Sequence, residues 1–171
     1  AGRLPRLARN QIYMVLERDR LAPFERVPAL RKATPADYDL VFESGCRLRA
    51  EELGEDPRDV DPLAYRRRVQ DECREGSTSL WLDEPGLAFR ASVSALTPDA
   101  AQIAGVYTPP ERRNHGFARR GLSELCARLF RNCRTACLFV NDFNAPALAV
   151  YHRIGFTDGV DWASAFYDET R

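Results

Sequence analysis

The chain has 171 residues, enough for one domain with a sizeable core, and its 44% hydrophobic content is too high for a disordered segment. Its 25 basic and 25 acidic residues cancel, whereas nucleic-acid-binding proteins usually carry a basic surplus. No apolar run approaches the roughly 20 residues of a membrane span, and no signal peptide is visible. We therefore predict a globular cytoplasmic protein that binds neither nucleic acid nor membrane.

The cysteines give no sign of a disulfide framework or a metal site. There are 5 of them, an odd number, and their spacing shows no pairs. Free, buried thiols in a reducing compartment fit this usage. A zinc site needs four ligands, and no convincing third and fourth ligand lies near Cys133 and Cys137, so we expect no metal.

The first 27 residues form a segment of their own. Residues 11–16 are β-prone and predict a strand, and residues 20–28 contain two prolines and predict a linker. A lone apolar strand must pair with something, so we expect it at the edge of the sheet or against a partner chain. Because the chain starts with Ala1 rather than Met, residues 1–27 are interpreted as the remnant of a preceding domain, and residues 28–171 as the main domain.

The main domain alternates strand and helix signals. A short strand at 30–33 precedes a helix at 34–53, which begins with the capping-box sequence Thr34-Pro35-Ala36-Asp37. The remaining predicted elements are a helix at 61–75, strands at 78–82, 87–95 and 100–107, a helix at 116–131, a strand at 136–140, a helix at 145–153 and a strand at 162–167. This order predicts an α/β sandwich, with a mixed central sheet and helices on both faces.

The stretch from Gly105 to Ala118 connects a strand to a helix through a proline-rich, arginine-containing loop. A helix N-terminus presents unpaired N–H groups and a partial positive charge, and glycine at that point lets a phosphate approach the backbone. Arg113 supplies a counter-charge. The pattern predicts a pyrophosphate cradle around Gly116, although a tight turn with solvated arginines is the alternative.

The stretch from Phe139 to Phe156 is a buried strand, then Asn144 as a helix cap, two helical turns, and Gly155 as the stop signal. Tyr151 lies seven residues after Asn144, about two helical turns, so both side chains can face one side.

The two stretches together resemble the GNAT superfamily of acetyl-CoA-dependent N-acetyltransferases. Arg113-Asn114-His115-Gly116-Phe117-Ala118 is similar to its Gln/Arg-x-x-Gly-x-Gly/Ala signature, except that Asn114 replaces the commoner glycine. The resemblance implies that the CoA pyrophosphate binds backbone N–H groups of residues 114–119, and that the pantetheine arm pairs with the backbone of the preceding strand. The implied cofactor-binding residues are Val106, Tyr107, Thr108, Arg113, Asn114, His115, Gly116, Phe117, Ala118, Arg119 and Asn144.

The second stretch matches the GNAT pattern Asn-x-x-Ala-x-x-x-Tyr-x-x-x-Gly-Phe at every named position. The resemblance implies that Asn144 contacts CoA and that Tyr151 is the general acid, which protonates the departing thiolate. The alternatives from the residues alone are a plain helix cap for Asn144 and a core aromatic for Tyr151. More narrowly, the sequences 95–111 and 140–147 resemble a bacterial subgroup in which the GNAT domain follows a separate N-terminal domain.

The predicted function is transfer of the acetyl group of acetyl-CoA to an amine of a small molecule, peptide or protein, with a homodimer as one candidate assembly. A non-catalytic acyl-CoA sensor and a structural module are the rivals. The general base stays open, because the strand at 100–107 carries Gln102 and no carboxylate. The candidates are Glu111, Asp142, Glu51, Glu52 or a water chain. The acceptor site is expected at the first two helices and the final strand, near Glu51, Glu52, Glu55, Asp56, Asp168 and Glu169. Acidic residues there would attract a cationic amine, and a solvated surface is the alternative interpretation.

Overall fold

The computed structural model describes residues 4, 5 and 7–167, apart from the side chain of residue 166. Its strands are β1 (Leu7–Glu17), β2 (Arg31–Lys32), β3 (Thr78–Asp83), β4 (Gly86–Leu96), β5 (Ala100–Tyr107), β6 (Thr135–Asn141) and β7 (Thr157–Phe166). Its helices are α1 (Tyr38–Leu53), α2 (Pro57–Val60), α3 (Pro62–Glu75), α4 (Phe117–Leu129) and α5 (Ala145–Ile154).

The local stop and start signals explain most of these bounds. Thr34 and Asp37 form the predicted capping box before α1, and Asp61 caps α3 by accepting a hydrogen bond from the backbone N–H of Ala64. Gly54 and Gly76 end α1 and α3 in the left-handed conformation that glycine adopts without strain. Helix α2 lies between the predicted helices at 34–53 and 61–75, where the sequence indicated no regular element.

The seven strands of the described chain form one mixed sheet in the order β2-β3-β4-β5-β6-β1-β7. Only the β5–β6 pair is parallel, and the other pairs are antiparallel. The predicted α/β sandwich with a mixed sheet is confirmed.

Strand β1 corrects the prediction for the N-terminal segment. It runs from residue 7 to 17 rather than 11 to 16, and it lies inside the sheet, paired with β6 on one side and β7 on the other. Met14 and Leu16 are fully buried. The expectation of an edge strand was wrong because both neighbours are distant in sequence. The origin of residues 1–27 as part of a preceding domain stays a prediction.

The two faces of the sheet carry separate cores. One core contains Leu122 of α4, Ile154 of α5 and Trp81 of β3, and the other contains Val41 of α1, Val69 of α3 and Leu80 of β3. Because neighbouring strand residues point to opposite faces, Leu80 and Trp81 serve different cores. Helices α4 and α5 therefore cover one face, and α1 and α3 cover the other.

The predicted linker at 20–28 is packed against α4. Val27 is 2% exposed, and its backbone N–H donates to the buried carboxylate of Glu124 at 3.1 Å. Arg26 and Arg128 also donate to that carboxylate, at 2.7 and 2.8 Å. The segment that leads from β1 to β2 is thus fastened to the core by an ion cluster, which we call the Glu124 clamp.

Candidate active site at the split between β5 and β6

The parallel strands β5 and β6 separate part of the way along the sheet. Their pairing runs from Ala100, opposite Thr135, to Ile103, opposite Leu138, and then ends. Both strands continue, β5 to Tyr107 and β6 to Asn141, and β6 remains paired with β1 over that length. The backbone of residues 104–107 therefore faces an open wedge on the β6 side, where polar groups can pair with an extended ligand.

Gly105 explains the separation. It has φ = 61° and lies at an irregularity in the pairing of β5 with β4. On either side of the irregularity, Ala104 of β5 is opposite Ser92 of β4, and Tyr107 is opposite Arg90, so β5 contains one extra residue. Such a bulge bends the strand that carries the extra residue, and glycine supplies the positive φ that the bend needs. The sequence contains a signal for this bulge that was missed, because a glycine inside a strand pattern is typical of one.

The predicted turn follows the end of β5 and opens α4. Asn114 has φ = 64° and Gly116 has φ = 79°, so the departure from the usual glycine at position 114 is accommodated by asparagine. A Cβ placed on Gly116 would meet no atom within 4 Å. Within residues 7–167, no group accepts a hydrogen bond from the N–H groups of residues 117–119. The turn is therefore an open cradle with free donors, as a phosphate requires.

The side chains of the turn have mixed roles. Arg113 donates from Nε to the carbonyl of Thr108 at 3.0 Å and from Nη2 to Glu51 at 2.6 Å. Its guanidinium thus ties the turn to α1. His115 Nδ1 lies 2.7 Å from the Arg113 carbonyl and closes the turn locally. Arg119 is exposed beside the cradle.

Two hydroxyls at the end of β5 are buried without a partner. Tyr107 is 3% exposed and Thr108 is 7% exposed, and neither Tyr107 Oη nor Thr108 Oγ1 has a hydrogen-bond partner in the described structure. Leaving such a group unpaired costs about 1–3 kcal/mol. Orphaned groups beside an open wedge are suited to a bound ligand that supplies the missing partners.

Helix α5 brings the second predicted pair to the same end of the sheet. Asn144 Oδ1 accepts a hydrogen bond from the Ala147 N–H at 3.2 Å, so its helix-capping role is observed. Tyr151 is 7% exposed and packs against Phe156, with ring centroids 5.9 Å apart. Burial, with a smaller contribution from the charge of Glu52, raises the pKa of the Tyr151 hydroxyl well above its ordinary value. The hydroxyl therefore stays protonated at neutral pH, as a proton donor must.

Comparisons with known proteins agree with this architecture. Residues 88–165, less than half of the chain, match the family model of the FR47-like proteins. A GNAT-family acetyltransferase from Colwellia psychrerythraea is 12% identical and superposes with a TM-score of 0.71, over 96% of this chain and 59% of that one. A GNAT-family protein from Novosphingobium aromaticivorans is 17% identical, with a TM-score of 0.65, over 93% and 64% of the two chains. The chain has the GNAT fold.

A third similar structure is that of a predicted acetyltransferase from Clostridium acetobutylicum, solved with acetyl-CoA. It is 24% identical, with a TM-score of 0.60, over 78% of this chain and 92% of that one. No curated protein sequence matches this chain. The chain spans 59% and 64% of the first two structures. The family model and the solved structures support the GNAT superfamily, and the narrower bacterial subgroup stays a prediction.

The rim of the wedge in this GNAT fold contains the last turn of α1. Glu51 pairs with Arg113 at 2.6 Å, while Arg9 of β1 donates to the backbone carbonyl of Glu52 at 2.7 Å. The end of α1 is therefore fastened to both sides of the wedge. Of the other acidic residues predicted around the acceptor, Asp56 caps α2, and Asp168 and Glu169 lie outside the described residues.

The described residues contain neither a metal-ligand cluster nor a membrane-spanning helix. Across residues 4, 5 and 7–167, no group of three or more His, Cys, Asp or Glu side chains is arranged to hold a metal ion. In the same part of the chain, no helix is long and apolar enough to cross a membrane. All five cysteines are buried as free thiols.

Proposed function

We propose that this protein is an N-acetyltransferase that transfers the acetyl group of acetyl-CoA to an amine. The observation that carries the proposal is the position of the wedge between β5 and β6, directly beside the free N–H groups that open α4. A cosubstrate with a phosphate-bearing end and an extended amide-bearing arm fits these two features together. The C. acetobutylicum structure with acetyl-CoA supports the choice of cosubstrate.

Each part of the site has a role in this reaction. The N–H groups of residues 114–119 hold the pyrophosphate, and the backbone of Val106, Tyr107 and Thr108 pairs with the pantetheine arm. A backbone N–H on the diverging end of β5 stabilises the oxyanion that forms when the amine attacks the thioester. Tyr151 donates its proton to the sulfur as the carbon–sulfur bond breaks. Asn144 caps α5, the helix that carries Tyr151, and contacts CoA at the start of that helix.

Calorimetry with acetyl-CoA tests the cradle. Gly116→Asp places a carboxylate in the open space where phosphate is proposed to bind, so affinity should fall at least tenfold, or about 1.4 kcal/mol. Gly86→Asp is the matched control, because Gly86 also has a positive φ and open space around its Cβ position but lies in the β3–β4 hairpin. Equal affinities for folded Gly116→Asp and Gly86→Asp would refute the cradle.

Free-thiol release with a panel of primary amines tests the catalytic step. Tyr151→Phe keeps the buried ring, so acetyl-CoA should bind as before while turnover falls by about 10²-fold, the usual contribution of an acid–base group. Tyr38→Phe, at the start of α1, is the control and should remain active. A wild-type protein that binds acetyl-CoA but releases no thiol with any amine would support the sensor function instead.

A further inference from the structure

The proposed reaction needs a group that deprotonates the acceptor, because alkylamines are mostly protonated at neutral pH and an ammonium nitrogen has no lone pair for attack. The sequence left five candidates for this general base. The structure separates the four carboxylates by what each one contacts and by which part of the wedge it lies near.

Three of the carboxylates are poorly suited to this role. Glu51 is paired with Arg113, and this pair also positions the turn that opens α4. Glu111 lies in the short 3-10 turn of residues 110–112, outside the two split strands. Asp142 lies beyond the end of β6, where its backbone N–H donates to the carbonyl of Asn10 of β1.

Glu52 lies in the last turn of α1, at the rim of the wedge. Leu48, one helical turn earlier in α1, has its Cδ2 3.8 Å from a Cβ placed on Gly105, the residue at which β5 bends away from β6. Residues four apart share one face of a helix, so Glu52 follows Leu48 on the face directed at β5. The hydrogen bond from Arg9 to the Glu52 carbonyl fixes this turn of the helix on the β1 side. No described group hydrogen-bonds to the Glu52 carboxylate.

The electrostatic surroundings agree with this placement. Glu52 is exposed at the surface, and desolvation by the surrounding protein raises the pKa of its carboxyl group. The neighbouring charge of Glu51 adds to the rise, while Arg49 and Arg9 oppose it. The charge of Glu52 in turn raises the pKa of Tyr151 on α5. The two groups therefore interact across the split, one from the α1 side of the sheet and one from the α5 side.

Resting on the proposed function, we propose that Glu52 is the general base, and that the acceptor is a cationic amine that approaches from the α1 side of the sheet. Glu52 takes a proton from the ammonium group, and the neutral nitrogen attacks the thioester carbon. The carbon–nitrogen bond forms and the carbon–sulfur bond breaks as Tyr151 protonates the sulfur. The second nitrogen proton returns to Tyr151, and the proton on Glu52 leaves to solvent.

The pH dependence of turnover distinguishes this role from a structural one. With acetyl-CoA and the fastest amine of the panel, Glu52→Gln should lower kcat/KM by about 10²-fold at pH 7.5, with acetyl-CoA affinity and Tm unchanged. The loss in kcat/KM should become smaller as the pH approaches the pKa of the amine itself, about 10, because the amine is then already neutral and needs no base. Asp142→Asn is the matched control and should follow the wild-type profile.

The outcomes separate this proposal from the one on which it rests. If wild type releases thiol with an amine and Glu52→Gln matches it across the pH range, Glu52 is not the base while the acetyltransferase function stands. A pH-independent loss in Glu52→Gln would also refute the base role and indicate a positioning role. If wild type releases no thiol with any amine, both proposals fail.

Discussion

Glu124→Gln tests how the N-terminal part of the chain is attached to the rest of the fold. Glu124 is 1% exposed and is the centre of the Glu124 clamp, accepting hydrogen bonds from Arg26, Arg128 and the Val27 backbone. Arg128 extends the clamp by donating to the carbonyls of Leu30 and Val27. Glutamine keeps the shape of the side chain and one acceptor oxygen but removes the negative charge.

The expected cost follows from the burial of the three charged groups. Breaking a fully buried ion pair costs about 3–5 kcal/mol. Here the side chain of Arg26 is 61% exposed and that of Arg128 is 34% exposed, so both guanidinium groups regain water when the carboxylate is removed. We therefore expect the free energy of unfolding to fall by about 2–3 kcal/mol. For a domain of this size the Tm should fall by about 5–10 °C.

The effect should depend on pH. Hydrogen bonds from Arg26 and Arg128, with that from the Val27 backbone, lower the pKa of Glu124 from its ordinary 4.5 to about 2. A carboxylate whose pKa is lower in the folded state stabilises the fold above its unfolded pKa and loses that effect as pH falls through the folded pKa. The difference in stability between wild type and Glu124→Gln should be full at pH 7 and should close between about pH 4.5 and 2.

Chemical denaturation at a series of pH values measures both effects, with Glu25→Gln as the matched control. Glu25 also pairs with an arginine of α4, Arg120 at 2.9 Å, but its side chain is 74% exposed, so its loss should cost no more than about 0.5 kcal/mol. If the two variants are equally stable at pH 7, the clamp does not contribute what its burial implies.

Three further predictions concern the wedge, a turn and β1. Tyr107→Phe removes a buried hydroxyl that has no hydrogen-bond partner, so it should raise the free energy of unfolding by about 1 kcal/mol. The same change should weaken the binding of acetyl-CoA or of the acceptor. A loss of stability would mean that the hydroxyl has a hydrogen-bond partner. Gly155→Ala should lower Tm by more than 5 °C, because the new Cβ would lie 2.1 Å from the Arg20 carbonyl oxygen at φ = 117°. Deleting residues 1–17 should abolish cooperative unfolding, because β1 fills the sheet between β6 and β7; a truncated chain that folds and binds acetyl-CoA would contradict this.

Much of the fold and of the candidate site was predictable because it depends on neighbouring residues. The capping box at Thr34 and Asp37, the glycines that end α1 and α3, and the cap at Asn144 all act within one helical turn. The cradle around Gly116 is local in the same sense, since the glycine and the free N–H groups belong to consecutive residues. The spacing of residues within the sequence motifs is therefore enough to predict these features.

Only the tertiary structure decided the features that join distant parts of the chain. Strand β1 pairs with residues 135–141 and 157–166, and no pattern within residues 7–17 indicates which strands those are. The ion pair of Arg113 with Glu51 spans 62 residues, and the clamp of Arg26 with Glu124 spans 98. The placement of Leu48 of α1 beside the bend at Gly105 has the same origin. Sequence patterns report local conformation, whereas these contacts depend on how the sheet orders its strands and on which helix ends meet at its split.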